Sequence, residues 1–514
     1  MEEQIRGIDY AAPDSISRLS QKWDAPMSSR VADFRRCDFG YADSGSEFRH
    51  APKLLRHGYY DLGHAEEQIV NSHKFLVLGY KGSGKSAIGA RLRIRAMDSP
   101  AHYSAPPPIF IDKLPLGEFK GIVPDTFGAP VRHRHVWTLH LLVHIAASLS
   151  TDGQAEWNSK AVMSEVSAQL QQEGITSRHP STMKKFRTTK VTATAGVPNI
   201  ASLTAEVQRA TDASSLVDWI SYLEGATSSF RSSRRHYLFI DGLDDSSLVR
   251  GGREGLLGGL IEAAADLNAI YFESGSPIKI IVCCRTDLYS KLSLARSGKI
   301  REDYGLELNW YQNPRNYQRT HLIKLANQRA QLADKGTRDI FSEFFPRKIA
   351  RKNAIEFLLL QTRHTPRDLL QLLKSIQRHT EEPNLIPEEI VKAGSREYSE
   401  KYFAHEMRDA LSTYFNEDQL SRITQLLGTL RQRRFSYNEL REIAETDGRF
   451  KGRIDLHDAL MALFENGFIG NVSSDPASGH EEYFRFKFRN PYAALVYDES
   501  MQLHPGLWKA FNLA

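Results

Sequence analysis

Eight consecutive residues carry the densest chemistry in the chain: Gly79-Tyr80-Lys81-Gly82-Ser83-Gly84-Lys85-Ser86, with Ala87 next to them. Glycines at 79, 82 and 84 leave backbone N–H groups free to wrap a phosphate where side chains would obstruct it. Lys85 is placed to neutralise β and γ oxygens, and Ser86 offers a hydroxyl to Mg²⁺. Such a loop needs a buried strand before it and a helix after it, with the positive helix end aimed at the anion. The apolar run Phe75–Leu78 reads as that strand and Ala87–Ala96 as that helix. The pattern is GxxxxGK[ST] in its required context, and the ligand it implies is a nucleotide's phosphates with Mg²⁺.

Two more apolar runs end in polar groups. Leu238-Phe239-Ile240-Asp241 reads as a strand that delivers Asp241 to the carboxyl edge of a sheet, where it can hold the metal through water. Asp244 and Asp245 follow in a turn. Either one could orient and deprotonate an attacking water, Asp245 being preferred, or both could cap the next helix. Pro277–Cys284 is a third strand, ending at Arg285. Beside the Asp241 strand, this arginine would reach the γ-phosphate; otherwise it is a salt-bridge partner.

Together Gly79–Ser86, Phe239-Ile240-Asp241-Gly242-Leu243-Asp244-Asp245 and Cys284-Arg285-Thr286 resemble the STAND branch of AAA+-type P-loop ATPases, whose Walker B is typically apolar–Asp–Gly–Leu–Asp–Asp/Glu. The chain is also similar to a group of uncharacterised bacterial P-loop ATPases that share Phe39-Gly40-Tyr41-Ala42-Asp43 and Leu306-Glu307-Leu308-Asn309-Trp310. The resemblance spans roughly residues 33–380. It implies an edge strand followed by a helical lid, here Leu306–Trp310 and the helical pattern Tyr317–Ala333. Within that lid His364-Thr365-Pro366-Arg367-Asp368 resembles the proline motif that contacts adenine, with Arg367 in place of a second sensor arginine. Ordinary helix initiation at Pro366 is the alternative. The chain departs from simple AAA+ domains in one respect: about 140 residues separate the phosphate-loop helix from the Asp241 strand.

The elements that must position these groups define the domains. With 514 residues, 41% apolar and 25% charged, the chain reads as a multidomain globular protein. We divide it into an arm at 1–32, a P-loop core at 33–310 with an insertion at about 114–234, a helical lid at 311–394, and a winged-helix domain at 395–514. The fold class is α/β: a P-loop NTPase parallel sheet with a long α-helical insertion, a lid and a C-terminal winged helix. Phe34, Phe39, Tyr41, Tyr59 and Tyr60 are candidates to pack beside adenine. Ile109–Ile111 reads as the second strand, Val136–Leu149 and Ala155–Gln172 as helices. The basic Met183–Val197 reads as a hairpin, either a lysine-protected edge or a contact for nucleic acid or a neighbouring subunit.

Beyond Gly394, helices at Asp418–Leu430, Tyr437–Ala444 and Ile454–Glu465 precede strands at Gly467–Val472 and Tyr483–Arg489. Alternation would turn Phe484, Phe486 and Phe488 inward and Arg485, Lys487 and Arg489 outward, as phosphate contact needs. The third helix carries only His457, Asp458 and Glu465, with Asp455 at its start, as titratable groups, a poor groove reader, so packing on the ATPase or on a partner is the other use of this domain.

Three cysteines, a net charge of +5 and no long apolar run fit a cytoplasmic protein without signal peptide or membrane segment. The expected activity is ATP hydrolysis coupled to a conformational switch. The resemblance implies a homo-oligomer or a hetero-complex with an effector chain, in bacterial antiphage defence or nucleic-acid surveillance. A DNA-binding loader similar to origin-recognition initiators, and a nucleotide-dependent scaffold with negligible turnover, are the alternatives. Arg296 and Arg301 are candidate trans arginine fingers.

Overall fold

The computed structural model describes residues 33–114, 129–172, 212–243, 254–292, 297–312, 317–333, 337–382, 385–412, 414–474 and 482–513. The arm at 1–32, the hairpin at Met183–Val197, Asp244, Asp245 and Arg296 lie outside them.

A parallel sheet of six strands organises the first half: β1 (Leu76–Gly79), β2 (Tyr103–Ser104), β3 (Ile109–Phe110), β4 (Arg235–Leu243), β5 (Ile278–Arg285) and β6 (Gly305–Glu307). The order across it is β2-β4-β5-β1-β6, with β3 also pairing with β4. The strands read as near-continuous apolar runs because both faces are covered. Leu76 and Leu78 face one layer, which includes the long helices Ala129–Leu149 and Glu254–Ser274. Val77, Phe239 and Cys283 face the other, where Ile88 and Leu92 of the helix Lys85–Asp98 cover them. Period-two alternation therefore sends adjacent Cys283 and Cys284 to opposite faces, both buried. Gly89 permits the close approach of helix to sheet: a Cβ there would lie 2.4 Å from the Phe239 ring.

The second half shares one apolar core, which also takes in Phe34, Cys37 and Phe39. Those two phenylalanines are fully buried among Phe344, Phe345 and their neighbours, which removes them from the candidates for adenine packing. The second half also contains a short ribbon of β7 (Lys348–Ile349) and β8 (Lys352–Asn353), with Ile349 in that core. Helix Pro366–His379 starts at Pro366, whose missing N–H is no loss at a first turn, and Thr365 caps it by accepting from the Asp368 N–H. Glu388–Tyr398 runs through a π-helical turn, Ser399–Phe403, into Ala404–Leu411. A boundary at 394/395 thus falls inside one continuous helical segment.

Three helices follow at Glu417–Thr429, Tyr437–Thr446 and Leu456–Glu465, the first two opened by capping boxes at Asn416/Gln419 and Ser436/Glu439. The accompanying sheet is antiparallel, with β9 (Arg434–Phe435), β10 (Ile469–Ser474), β11 (Glu482–Arg485) and β12 (Ser500–Leu503) in the order β11-β10-β12-β9. Here one expectation fails. The ladder with β10 ends at Arg485, so the strand stops short of residue 489. Phe486 and Phe488 are buried but Phe484 is half-exposed. The basic residues are also engaged within the chain: Arg485 pairs with Glu499, Lys487 lies 3.2 Å from Glu465, and Arg489 lies over Tyr311, Phe486 and Phe488.

Candidate functional site

The loop expected to hold phosphate turns from the end of β1 into the helix Lys85–Asp98. Gly82 and Gly84 have φ of +85° and +97°, a left-handed backbone that side chains disfavour. At Gly79 the constraint is space, because a Cβ would come within 2.4 Å of the Ser83 hydroxyl. Lys85 is buried, its Nζ donating to the carbonyls of Gly79 (3.1 Å) and Tyr80 (3.2 Å). The ammonium therefore lies folded over the loop. Ser83 Oγ is buried without a hydrogen-bond partner, a polar atom that a ligand would satisfy. Glycine-freed N–H groups, a lysine folded over them, an orphaned hydroxyl and a helix N-terminus together fit a phosphate group. Ser86 and Ala87 lie half-buried in the first helical turn.

Sheet order sets the rest. β1 is flanked by β5 and β6, and β4 lies one strand further on. Asp241 reaches the carboxyl end of β4, buried, with Oδ1 accepting from the Gly242 N–H at 2.9 Å. Gly242 takes φ +85° and the register with β5 shifts there, so a bulge ends regular pairing at the carboxylate. Arg285 ends β5 directly across from Gly79. Its guanidinium is engaged by Asp287 (2.9 and 2.7 Å) and by Asn466 (2.8 Å). In this arrangement the arginine ties the sheet edge to the C-terminal domain through Asn466, and its pairing with Asp287 matches the salt-bridge alternative to the phosphate sensor. Tyr60 packs against Trp310 and hydrogen-bonds His321 at 2.7 Å. Arg301 pairs with Glu307 in the same chain.

The lid motif meets the loop directly. Arg367 donates its N–H to the Gly82 carbonyl at 3.4 Å, and a Cβ on Gly82 would lie 3.1 Å from that of Arg367. Thr365 and Arg367, on either side of Pro366, thus share one surface with Gly82. A buried pair holds the motif in shape: Arg363 makes two 2.9 Å bonds to Asp368, which also accepts from Tyr402 at 3.1 Å. Burial opposes both charges, yet each partner holds the other ionised, Asp368 below and Arg363 above its ordinary value. His364 adopts φ +52° and packs between Tyr311 and Phe488. Burial, with Arg489 nearby, pushes its pKa down to about 3, so it is neutral.

Sequence reasoning missed the residues that bring the C-terminal domain onto the loop. Tyr80 donates its hydroxyl to the Lys487 carbonyl at 3.0 Å. Lys81 Nζ lies 3.3 Å from Glu406, and Arg363 approaches the same carboxylate at 3.5 Å. The oxygen concerned lacks an aligned hydrogen bond, so these are charge contacts. Burial lowers the Lys81 pKa despite Glu406. Trp310 donates to the Ser83 carbonyl at 2.8 Å, fixing the loop from the β6 side.

The site thus joins three regions: the loop, the helix that opens at Pro366, and the segments around Glu406, Asn466 and Lys487. A family model described as the FunZ-associated C-terminal helical domain matches residues 320–405, and FunZ is a defence-associated family. No curated protein matches the chain. Among the described residues, no helix is long and apolar enough to cross a membrane.

Proposed function

We propose that this protein is an ATP-binding and ATP-hydrolysing conformational switch of the STAND/AAA+ kind, serving bacterial antiphage defence or nucleic-acid surveillance. The observation that carries this reading is the contact of both the lid and the C-terminal domain with a glycine-built loop suited to phosphate, through Arg367, Tyr80 and Lys81. A ligand in that loop would lie against groups held by Arg367, Glu406 and Lys487. The strand order supports it, since ligands bind at carboxyl edges of parallel sheets where chain order reverses. The match to a FunZ-associated domain supports the defence role.

In this reading Lys85 leaves the Gly79 and Tyr80 carbonyls to neutralise the transferred phosphoryl group. Ser86 and Asp241 would hold Mg²⁺, which supplies charge neutralisation at the phosphates. Asp245, or Asp244 in its place, orients and deprotonates water. Pro366 and Arg367 report closure to the lid. The three helices and antiparallel sheet at the C-terminus follow the order of a winged helix, used here to pack on the ATPase. Arg485, Lys487 and Arg489 have intramolecular partners, which weakens the support for a DNA loader.

Single-turnover hydrolysis of ATP by the full chain tests the enzymatic part. The wild type should release phosphate, and Asp245→Asn should bind ATP but hydrolyse it roughly 10²-fold or more slowly. Loss of rate in Asp244→Asn alone would exchange the two roles, and absence of turnover in the wild type would reject the ATPase.

A further inference from the structure

A cavity of about 360 Å³ opens beside the far end of the phosphate-loop helix, at the opposite edge of the sheet. Its walls include Phe48, Arg93, Met97, Tyr103, Ser104 and Ser148. Arg93 stands eight residues beyond Lys85, roughly 12 Å along the helix. Tyr103 and Ser104 pair with Arg235 and His236 at the start of β4, whereas the phosphate loop lies at strand ends. The two sites are therefore distinct.

Arg93 is half-buried, its guanidinium 4.0 Å from the centre of the Phe48 ring, with no ion-pair partner among the described residues. Burial lowers its pKa, with no carboxylate opposing that shift. A partly desolvated cation facing a cavity favours an anion there. On another wall Ser148 Oγ lies 3.1 Å from His236 Nδ1, and His236 Nε2 lies 2.9 Å from Asp152 Oδ2. Asp152 also accepts from Ser232 at 2.6 Å and from the Gln154 N–H at 2.8 Å. Those bonds lower the Asp152 pKa against its burial, and burial lowers that of His236 against the pull of Asp152, which favours the neutral ring. Nε2 must then carry the imidazole proton and Nδ1 must accept, so the single hydroxyl proton of Ser148 points away into the protein. What Ser148 can offer a ligand is lone pairs. The cavity thus combines a cation, an acceptor and aromatic walls, within the size range of small-molecule sites.

We propose that this cavity is a second ligand site, for a small aromatic anion whose acidic group meets Arg93 and whose N–H or O–H donor meets Ser148. The acid is a carboxylate, phosphate or sulfonate, and the flat ring lies against Phe48 and the Tyr103 wall.

The probe 8-anilinonaphthalene-1-sulfonate has all three parts, and its fluorescence in titrations of the full chain reads occupancy. One saturable site should appear, with affinity about tenfold weaker or worse in Arg93→Gln, since charge-assisted hydrogen bonds are the strong ones. Ser148→Ala should weaken it severalfold, and Arg93→Lys should restore part of the loss. Ala105→Trp, a change at the cavity wall, should abolish the site and decides the matter if Arg93→Gln does not fold. Affinity unchanged within twofold in Arg93→Gln and Ala105→Trp would overturn the proposal. So would displacement of the probe by ATP, which would place it at the phosphate loop.

Discussion

Glu406→Gln is the sharpest perturbation of the contact between the C-terminal domain and the phosphate loop. Lys81 Nζ and the Glu406 carboxylate are 3.3 Å apart, with side chains 24% and 12% exposed. At an effective dielectric constant of about 20, their gross attraction is about 5 kcal/mol. Most of that is offset by desolvation, which is strong enough to lower the Lys81 pKa. A net coupling of about 1–2 kcal/mol remains, between the value of an exposed pair and the cost of breaking a fully buried one. The detached arrangement should then become roughly 5- to 30-fold more populated. Hydrogen exchange reads this as a matching fall in protection of the Ala404–Leu411 amides. Arg363 also touches Glu406 at 3.5 Å, so the experiment is a double-mutant cycle with Lys81→Met, in which the Arg363 term cancels. Protection unchanged by Glu406→Gln, or effects of the two substitutions that add within about 0.3 kcal/mol, would rule this coupling out.

Asp368→Asn leaves the buried Arg363 guanidinium with only the 3.5 Å charge contact to Glu406 and should cost about 3 kcal/mol of stability, measured by urea unfolding at pH 7. The Asp368 carboxyl titrates below its ordinary value. Its contribution is therefore present above the unfolded pKa near ~3.9 and is lost as pH falls through the lower folded value, so the gap between wild type and variant should close in acid. Replacing Arg485, Lys487 and Arg489 together with Ala should lower thermal stability, because these side chains have partners within the fold. Duplex binding in fluorescence anisotropy should show no salt slope for these residues to flatten; a slope that falls by about 0.9 per residue removed would return them to phosphate contact.

The local parts of this structure were legible in the chain. β1, its glycine loop and the helix after it follow from an apolar run, three glycines and a lysine within twelve residues. The Asp241 and Arg285 strands were also readable, because strands buried on both faces need unbroken apolar sequence. Their order across the sheet was not, since no local pattern encodes which parallel strands pair. The same holds for contacts over long separations. Tyr80 and Lys487 lie 407 residues apart, and nothing in either neighbourhood announces the other. Arg285 was visible as a strand-end cation, and Asp287, two residues on, was the signal that it had a partner. Phe34 and Phe39 looked available only because the core that buries them is assembled from residues after 310. The basic residues Arg485 and Lys487 misled for a plain reason: no local pattern announces their partners Glu499 and Glu465.

Calorimetric titration of ATP with Mg²⁺ into the full chain and its Lys85→Ala variant decides whether the glycine loop is a nucleotide site. A single site is expected in the wild type and no measurable binding in the variant, with thermal unfolding of the two alike in the absence of nucleotide. Equal affinity in both proteins, or no heat from either, would contradict the nucleotide switch.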